Sequence, residues 1–387
     1  MHPTLCLLAS LTLALAGGCG GRAVGDVDGP RGTGFGESRS PASALNATPS
    51  PADTLPLLRG MTFAHEGYDG RTGYDGESVY PSLDSLRRLH VDAVAIVPYT
   101  FQRRPDSAAA LPIPTRRGME SDSAVAHVVR AAQARGMFVL IKPQIWLGGG
   151  HWPGDVDFGD DEAAWATWFG HYRDWIVHHA RLAERLGADA LCVGTELVRT
   201  TLTHPEAWRR IIADVRAEYG GLVTYAANWG EEFEGLSFWD ALDAVGCNGY
   251  YPLSDDPDAT DAELRDGAKA WLIAANNVAA RAGRPLWLTE VGYRSVRRAW
   301  LNPHASPQGR ARSDDCQRRC FAALTEATAE APMLRAMFVW KWPSYLGYAG
   351  GGEHWGGGRR GTVGGGFTPG GKPAGEVLAA FYRTWGR

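Results

Sequence analysis

From residue 57 onward, the chain alternates between two kinds of segment. Short runs of apolar and β-branched residues are followed by longer segments whose apolar residues recur every three or four positions. The short runs predict parallel strands buried on both faces, and the longer segments predict amphipathic helices. The predicted strands are Gly60–Ala64, Ala93–Pro98, Phe138–Lys142, Ala190–Gly194, Val223–Ala226, Ala244–Asn248, Leu286–Thr289 and Ala336–Trp340.

Helical patterns lie between these runs, and a last one follows the eighth run. Eight strands alternating with helices predict an α/β fold, a single (β/α)₈ TIM barrel. The helices after the first and fifth strands are short or interrupted. The competing architecture is a doubly wound open sheet, but no glycine-rich dinucleotide loop follows the first strand. The clearest helical segments are Ser121–Arg135, Glu162–Leu186, Pro205–Tyr219, Asp261–Ala282, Ser313–Glu330 and Ala374–Trp385.

The N-terminal residues do not follow this alternation. Leu5–Ala16 is an apolar stretch too short to cross a membrane and suited to a signal peptide. Small residues come next, directly before Cys19. We therefore expect residues 1–19 to be a lipoprotein-type signal peptide, with Cys19 lipidated. Cleavage nearby and free secretion is the alternative, and both readings predict an exported protein.

Residues 20–56 are rich in Gly, Ser, Pro and Ala and contain few large apolar residues. Such a segment cannot bury a core, so it predicts a flexible linker. The linker would hold the barrel of residues 57–387 away from a membrane to which only the lipid anchor attaches it.

Composition excludes several classes of function. The formal net charge of −4 and the scattered arginines argue against nucleic-acid binding. Cys192 and Cys247 lie inside apolar runs, which predicts buried thiols. No cysteine or histidine spacing indicates a metal site, so we expect neither metal nor cofactor, and we expect a monomer. The 15 Trp residues supply rings that can stack on the apolar faces of sugars.

In a (β/α)₈ barrel, function resides at the C-terminal ends of the strands. Carboxylates, amides and aromatic rings dominate those positions here. They are His65, Glu66, Tyr99, Gln102, Lys142, Gln144, Trp146, Glu196, Asn228, Trp229, Asn248, Tyr250, Glu290, Trp340, Lys341 and Trp342.

Glu196 and Glu290 occupy matching positions. Each follows an apolar run and a threonine, at the ends of predicted strands four and seven. Either one alone is also explained as a carboxylate at a helix start. Together in one barrel, they predict two carboxyl groups facing each other across a sugar. Glycosidic cleavage needs one of them protonated and the other ionised, so their environments must separate their pKa values.

The order of motifs resembles glycoside hydrolase family 113, the β-mannanases, within the clan of retaining (β/α)₈ glycosidases. The resemblance covers roughly residues 58–385. It rests on RGMTFAHE, LIKPQIW, the HWPGD loop followed by WATWFGHY, GTEL, CNGYYPL, LTEVGY and FVWKWP.

This resemblance implies that Glu196 is the acid/base and Glu290 the nucleophile. It also implies a polysaccharide or oligosaccharide substrate. The sequence departs from the pattern at Gln144, where His is expected, and at Thr195, where the clan often has Asn. We expect hydrolysis of a β-linked hexose polysaccharide, with β-1,4-mannan preferred. The alternatives are another β-glycan hydrolase or transglycosylase of the clan, or a non-catalytic glycan-binding barrel on the cell surface.

Further residues at the strand ends are predicted to bind substrate or to hold the two glutamates. Tyr250 would donate a hydrogen bond to Glu290, or else be a core phenol. Lys142 would bind a sugar hydroxyl or form a structural salt bridge, and Trp152 would edge the cleft or pack its loop. The full set is Lys142, Gln144, Trp152, Asn228, Tyr250, Trp340 and Trp342.

Overall fold

Eight parallel strands close into a barrel in the computed structural model, which describes residues 55–66, 71–346 and 366–386. Each barrel strand pairs with the next one along the chain, and the last pairs with the first. This confirms the predicted (β/α)₈ fold. The barrel strands are β1 (Leu58–Ala64), β2 (Ala93–Ile96), β4 (Phe138–Ile141), β6 (Ala190–Thr195), β7 (Leu222–Asn228), β8 (Ala244–Asn248), β9 (Leu286–Val291) and β10 (Leu334–Pro343).

Helices cover the outside of the barrel. Those after the first and fifth barrel strands are short, as their interrupted patterns predicted. The helices are α1 (Val79–Arg87), α2 (Asp122–Gln133), α3 (Glu162–Leu186), α4 (Val198–Thr203), α5 (Pro205–Glu218), α6 (Glu231–Gly235), α7 (Asp261–Ala282), α8 (Asp314–Ala327) and α9 (Pro373–Thr384).

The ends of α3 and α7 coincide with the predicted ends because both helices carry clear capping residues. Asp161 accepts a hydrogen bond from the backbone N–H of Ala164 at the start of α3. Thr260 and Glu263 form a reciprocal capping box at the start of α7. Each helix ends at a glycine in the left-handed region, Gly187 with φ 58° and Gly283 with φ 63°.

Two further strands, β3 (Tyr99–Gln102) and β5 (Gln144–Leu147), pair in parallel beyond the ends of β2 and β4. Pro98 and Pro143 separate each of them from its barrel strand, since proline has no N–H for the ladder. The sequence did not predict this small sheet, whose strands are only four residues long. It extends two barrel strands outward and carries Gln144 and Trp146 with it.

Packing between the barrel and its surrounding helices explains Gly194, the glycine two residues before Glu196. Gly194 lies on β6 against the rings of Tyr172, Trp208 and Tyr225. A Cβ there would come within 2.6 Å of Tyr225 Cε2, which real packing does not tolerate. The sequence Gly-Thr-Glu therefore places large aromatic residues directly behind Glu196.

Several predictions fall on residues outside the described ranges. They are the signal peptide with Cys19 and almost all of the linker of residues 20–56. Within the described ranges, none of the helices is long and apolar enough to cross a membrane. Cys192 and Cys247 are buried thiols as predicted, and Cys316 and Cys320 are not bridged.

Candidate active site

An open cavity of 540 Å³ lies at the C-terminal end of the barrel, and both glutamates line it. The barrel therefore brings together two side chains that are 94 positions apart in the sequence, 196 and 290. The predicted site residues that also line this cleft are Gln144, Trp152, Asn228, Tyr250 and Trp340. Lys142 and Trp342 do not line it.

Glu196 follows β6 in an unusual backbone conformation. The register between β6 and β7 shifts between Cys192 and Thr195, which marks a bulge immediately before the glutamate. Glu196 then has φ 54°, in the left-handed region that non-glycine residues rarely adopt. Its N–H donates to Ala226 O at 2.9 Å, which holds this conformation. Such conformations are retained mainly where a site needs a side chain aimed in a particular direction.

Two neutral donors bind the carboxyl group of Glu196. Trp152 Nε1 donates to Oε2 at 2.6 Å, and Asn248 Nδ2 donates to Oε1 at 2.8 Å. Thr289 Oγ1 donates to Asn248 Oδ1 at 2.9 Å, so the amide is held with its N–H side toward the glutamate. An amide from β8 therefore holds the carboxyl group of Glu196.

Burial raises the pKa of Glu196, and the negative charge of Glu290 raises it further. The hydrogen bonds from Trp152 and Asn248 and the charge of Lys142 oppose this shift without cancelling it. A carboxyl group with a raised pKa remains protonated to higher pH. Glu196 can therefore donate a proton to a leaving group.

Glu290 lies in very different surroundings at the end of β9, where it is buried. Its Oε1 accepts hydrogen bonds from the ammonium group of Lys142 and, at 2.9 Å, from Gln144 Nε2. Its Oε2 accepts from the Tyr250 hydroxyl at 2.7 Å, which confirms the hydrogen bond predicted from the sequence. A cation and two neutral donors thus bind both oxygens of this carboxyl group and fix its direction.

The structure corrects the prediction that Lys142 binds a sugar hydroxyl. Lys142 is fully buried, and its Nζ also donates to Thr289 O at 3.3 Å. The alternative, a structural salt bridge, is the one observed, with Glu290 as the partner. Burying an ammonium group without a partner of opposite charge costs free energy, and Glu290 supplies that partner.

The prediction that Trp342 binds substrate is also wrong. Its Nε1 donates to Ser82 Oγ at 3.0 Å, and its ring lies against Gly370 away from the cleft. The cause is a register shift between β1 and β10, where Met61 pairs with Val339 but Phe63 pairs with Trp342. The extra residue in β10 breaks the strand alternation, so the two tryptophans do not share a face.

Trp340, which was predicted to bind substrate, lines the cleft. Its ring centroid lies 5.5 Å from Lys142 Nζ and 5.4 Å from Lys341 Nζ. Both distances are within the range of cation–π attraction, which fixes the ring between two cations. Lys341 in turn pairs with Glu66 at 2.8 Å. The indole therefore forms a rigid surface beside Glu290.

Sequence reasoning assigned no role to several residues that shape the site. The sequence placed Asn248 at the end of a strand. It did not indicate that Asn248 would donate a hydrogen bond to Glu196. Arg294, His304 and Phe367 line the wall of the cleft, and the Arg294 guanidinium lies 4.0 Å from the Phe367 ring centroid. The segments that carry these three residues have no periodic pattern, so no local signal pointed to them.

A further buried carboxyl group, that of Glu232, supports the loop after β6. Glu232 accepts hydrogen bonds from the Tyr225 hydroxyl at 2.7 Å and from Thr201 at 2.8 Å. The Tyr225 oxygen accepts from the backbone N–H of Leu197, directly after Glu196, at 2.8 Å. Burial raises the pKa of Glu232 to about 8. This network anchors the backbone that presents Glu196.

Across the described ranges, no group of three or more His, Cys, Asp or Glu side chains is placed to hold a metal ion. The chemistry visible at the site is that of two carboxyl groups with contrasting partners. One has neutral donors and a raised pKa, and the other has a cation.

Known proteins share the sequence family and the barrel fold of this chain. A family model described as Glycoside Hydrolase Family 113 matches residues 61–350. A solved GH113 β-mannanase from Alicyclobacillus acidocaldarius, in complex with ManMIm, is 29% identical with a TM-score of 0.73. That match covers 85% of this chain and 98% of the other. A search of curated proteins found no match.

Two more distant structures support the fold alone. A GH113 β-1,4-mannanase is 24% identical with a TM-score of 0.73, over 85% of this chain and 100% of that one. A family 5 mannosidase from Rhizomucor miehei is 13% identical with a TM-score of 0.57, over 85% and 92%. The barrel architecture thus extends beyond a single family.

Proposed function

Because the chain belongs to glycoside hydrolase family 113, we propose that it hydrolyses β-1,4-mannosidic bonds in polysaccharide with retention of configuration. The observation that carries the mechanism is the contrast between the two carboxyl groups in one cleft. The 29% identical β-mannanase supports mannan as the substrate. The open cleft of 540 Å³ has room for sugar units of such a polymer.

In the first step, Glu196 donates its proton to the glycosidic oxygen while Glu290 attacks the anomeric carbon. The bond to the departing sugar breaks, and an α-linked glycosyl-enzyme forms on Glu290. Lys142, Gln144 and Tyr250 hold the carboxyl group of Glu290 in position before attack. As the carboxylate loses its charge in the ester, Lys142 retains its hydrogen bond to Thr289 O.

In the second step, Glu196 is ionised and acts as a base. It takes a proton from water, whose oxygen attacks the anomeric carbon and releases Glu290. The product is a β-sugar, and Glu196 regains its proton. Asn248 and Trp152 donate to the same carboxyl group in both states, so they hold it in place as its charge changes.

The test is a screen of purified protein against mannan, glucomannan, xylan and β-glucans, with the products sized. We expect mannan to be the best substrate, and NMR during the reaction to show the β-anomer appearing first. A first-formed α-anomer would overturn the retaining mechanism. Preference for xylan or a β-glucan would overturn the substrate assignment.

Glu290→Gln distinguishes an enzyme from a glycan-binding barrel. The variant preserves size and most hydrogen bonding but cannot form the glycosyl ester. We expect hydrolysis to stop while binding of manno-oligosaccharide, measured by calorimetry, persists. If wild-type protein binds glycan without hydrolysing it, the catalytic proposal fails.

We also propose that the protein is exported and lipid-anchored through Cys19. The support is the sequence pattern of residues 5–19 alone. In a bacterial host, wild-type protein should fractionate with membranes and incorporate labelled palmitate. Cys19→Ala should abolish the label. Wild-type protein recovered without label would contradict the anchor, and recovery in the cytoplasm would contradict export.

A further inference from the structure

A second cavity of 510 Å³ adjoins the catalytic cleft. Tyr99 and Trp146 line both spaces, so the two cavities adjoin at this pair of residues. The centroids of the two rings lie 6.0 Å apart in an edge-to-face arrangement. Beyond them the second cavity is bounded by Phe101 and by Pro112–Arg116. None of the steps proposed above uses this space.

The small sheet of β3 and β5 explains why these rings align. Tyr99 pairs with Gln144, and Phe101 pairs with Trp146. Since side chains alternate along a strand, these four residues share one face of the sheet. Gln144 lies at one end of that face and donates to Glu290. The aromatic strip of Tyr99, Trp146 and Phe101 therefore leads outward from beside the proposed nucleophile.

The opposite face of the same sheet is packed into the protein. Its members are at most 5% exposed: Thr100, Gln102, Ile145 and Leu147. Phe101 on the open face is 52% exposed, more than any other large hydrophobic residue in the described ranges. An exposed phenyl ring gives up the stabilisation that burial would provide, unless a ligand covers it.

The second cavity also offers a polar acceptor. Glu120 lines it and is buried, 3% exposed. Its Oε1 accepts no hydrogen bond within the described ranges, although His65 Nδ1 lies 4.0 Å away. A buried carboxyl oxygen without a donor is costly, and a hydroxyl group entering the cavity would satisfy it.

We propose that this second cavity is a distal subsite for another hexose unit of the glycan that is cleaved between Glu196 and Glu290. The inference rests on the proposed function, since the occupant is the same chain continued beyond Tyr99 and Trp146. Sugar rings have apolar faces and hydroxyl-bearing edges, which match Phe101 and Glu120 respectively. Continuity with the cleft favours the substrate over an unrelated apolar ligand.

The experiment compares long and short substrates in Phe101→Ala. Phe101 lies outside the catalytic cleft and is half exposed, so the variant should fold. We expect KM for mannohexaose to rise about tenfold with kcat unchanged. For an aryl β-mannoside, which is too short to reach the second cavity, both constants should stay at their wild-type values. Phe101→Trp should restore KM for mannohexaose.

Ile273→Ala is the matched control, because Ile273 is also an exposed apolar residue, at 43%, but lies on α7. It should leave both substrates unaffected. If Phe101→Ala changes neither substrate or both equally while wild-type protein hydrolyses mannan, the subsite is overturned and the proposed function stands. If wild-type protein hydrolyses no β-mannan, the proposed function itself fails and the subsite fails with it.

Discussion

Glu196 and Glu290 occupy equivalent positions in the fold but opposite environments. Each follows an apolar barrel strand and a threonine, and each enters the same cleft. Glu290 receives hydrogen bonds from a buried ammonium group, an amide and a phenol. Within the described ranges, the carboxyl group of Glu196 receives hydrogen bonds only from the neutral N–H groups of Trp152 and Asn248. Two similar sequence motifs thus deliver carboxyl groups with different partners.

The difference arises from neighbouring strands. Lys142 comes from the segment after β4 and Asn248 from β8, and each selects one glutamate. A cation beside a carboxylate favours ionisation, while burial with neutral donors leaves protonation accessible. The local motif sets where each glutamate lies, and the rest of the barrel sets what it can do. Variants of either glutamate or of its partners therefore test this difference in surroundings.

Removing the proposed nucleophile should have the largest effect. In Glu290→Gly, we expect kcat on mannan to fall on the order of 10⁴-fold or more, since no glycosyl ester can form. With an aryl β-mannoside and azide, the anion enters the vacated space and yields the α-glycosyl azide. NMR of the product reads the configuration. A β-azide would mean that the two roles are reversed.

Removing the proposed acid/base should give a different pattern. In Glu196→Gly, hydrolysis of mannan should fall about 10³-fold because the leaving oxygen gains no proton. A dinitrophenyl β-mannoside has a good leaving group, so it should still release phenol in a burst and then stall as glycosyl-enzyme. Azide should accelerate turnover and yield the β-glycosyl azide. Stopped-flow absorbance measures the burst, and NMR identifies the configuration of the azide product. An α-glycosyl azide would contradict the assignment of Glu196 as the acid/base.

Much of this arrangement was predictable because it depends on local patterns. Apolar runs and helical periodicity identified eight barrel strands, and the capping residues of α3 and α7 placed their ends. The two glutamates were found because strand ends meet at one face of a barrel. The β3–β5 sheet was missed because its strands are short and follow prolines.

The partners of the glutamates could not be read from local sequence. Asn248 lies 52 positions from Glu196 and Lys142 lies 148 positions from Glu290, so only the folded barrel brings them together. Which of Trp340 and Trp342 faces the cleft depends on a bulge in β10, and no residue in that strand indicates the bulge. Charge state and direction at this site are therefore tertiary properties, whereas position is a local one.

Lys142→Met should weaken both the reaction and the fold. It leaves Glu290 buried without its cation, so we expect kcat to fall about 100-fold and the free energy of unfolding to fall by about 3–5 kcal/mol. The control is Lys269→Met, which removes an exposed lysine 3.3 Å from Glu330. That change should cost no more than about 1 kcal/mol and leave kcat unchanged. Urea unfolding measures the loss of stability, and steady-state kinetics measures the loss of kcat. Equal losses in Lys142→Met and Lys269→Met would contradict a special role of Lys142 beside Glu290.

The smallest expected effect is a shift in pH dependence. Trp152→Phe keeps an aromatic ring but loses the N–H that donates to Glu196 Oε2. That bond favours the ionised carboxylate, so its loss raises the pKa of Glu196 further. An acid that must be protonated then works to higher pH. The alkaline limb of kcat/KM should therefore move to higher pH. Trp165→Phe loses an indole hydrogen bond to Gly159 O outside the cleft and should leave the limb in place. A limb that moves downward, or not at all, in Trp152→Phe would mean that Glu196 is not the acid whose ionisation limits the reaction.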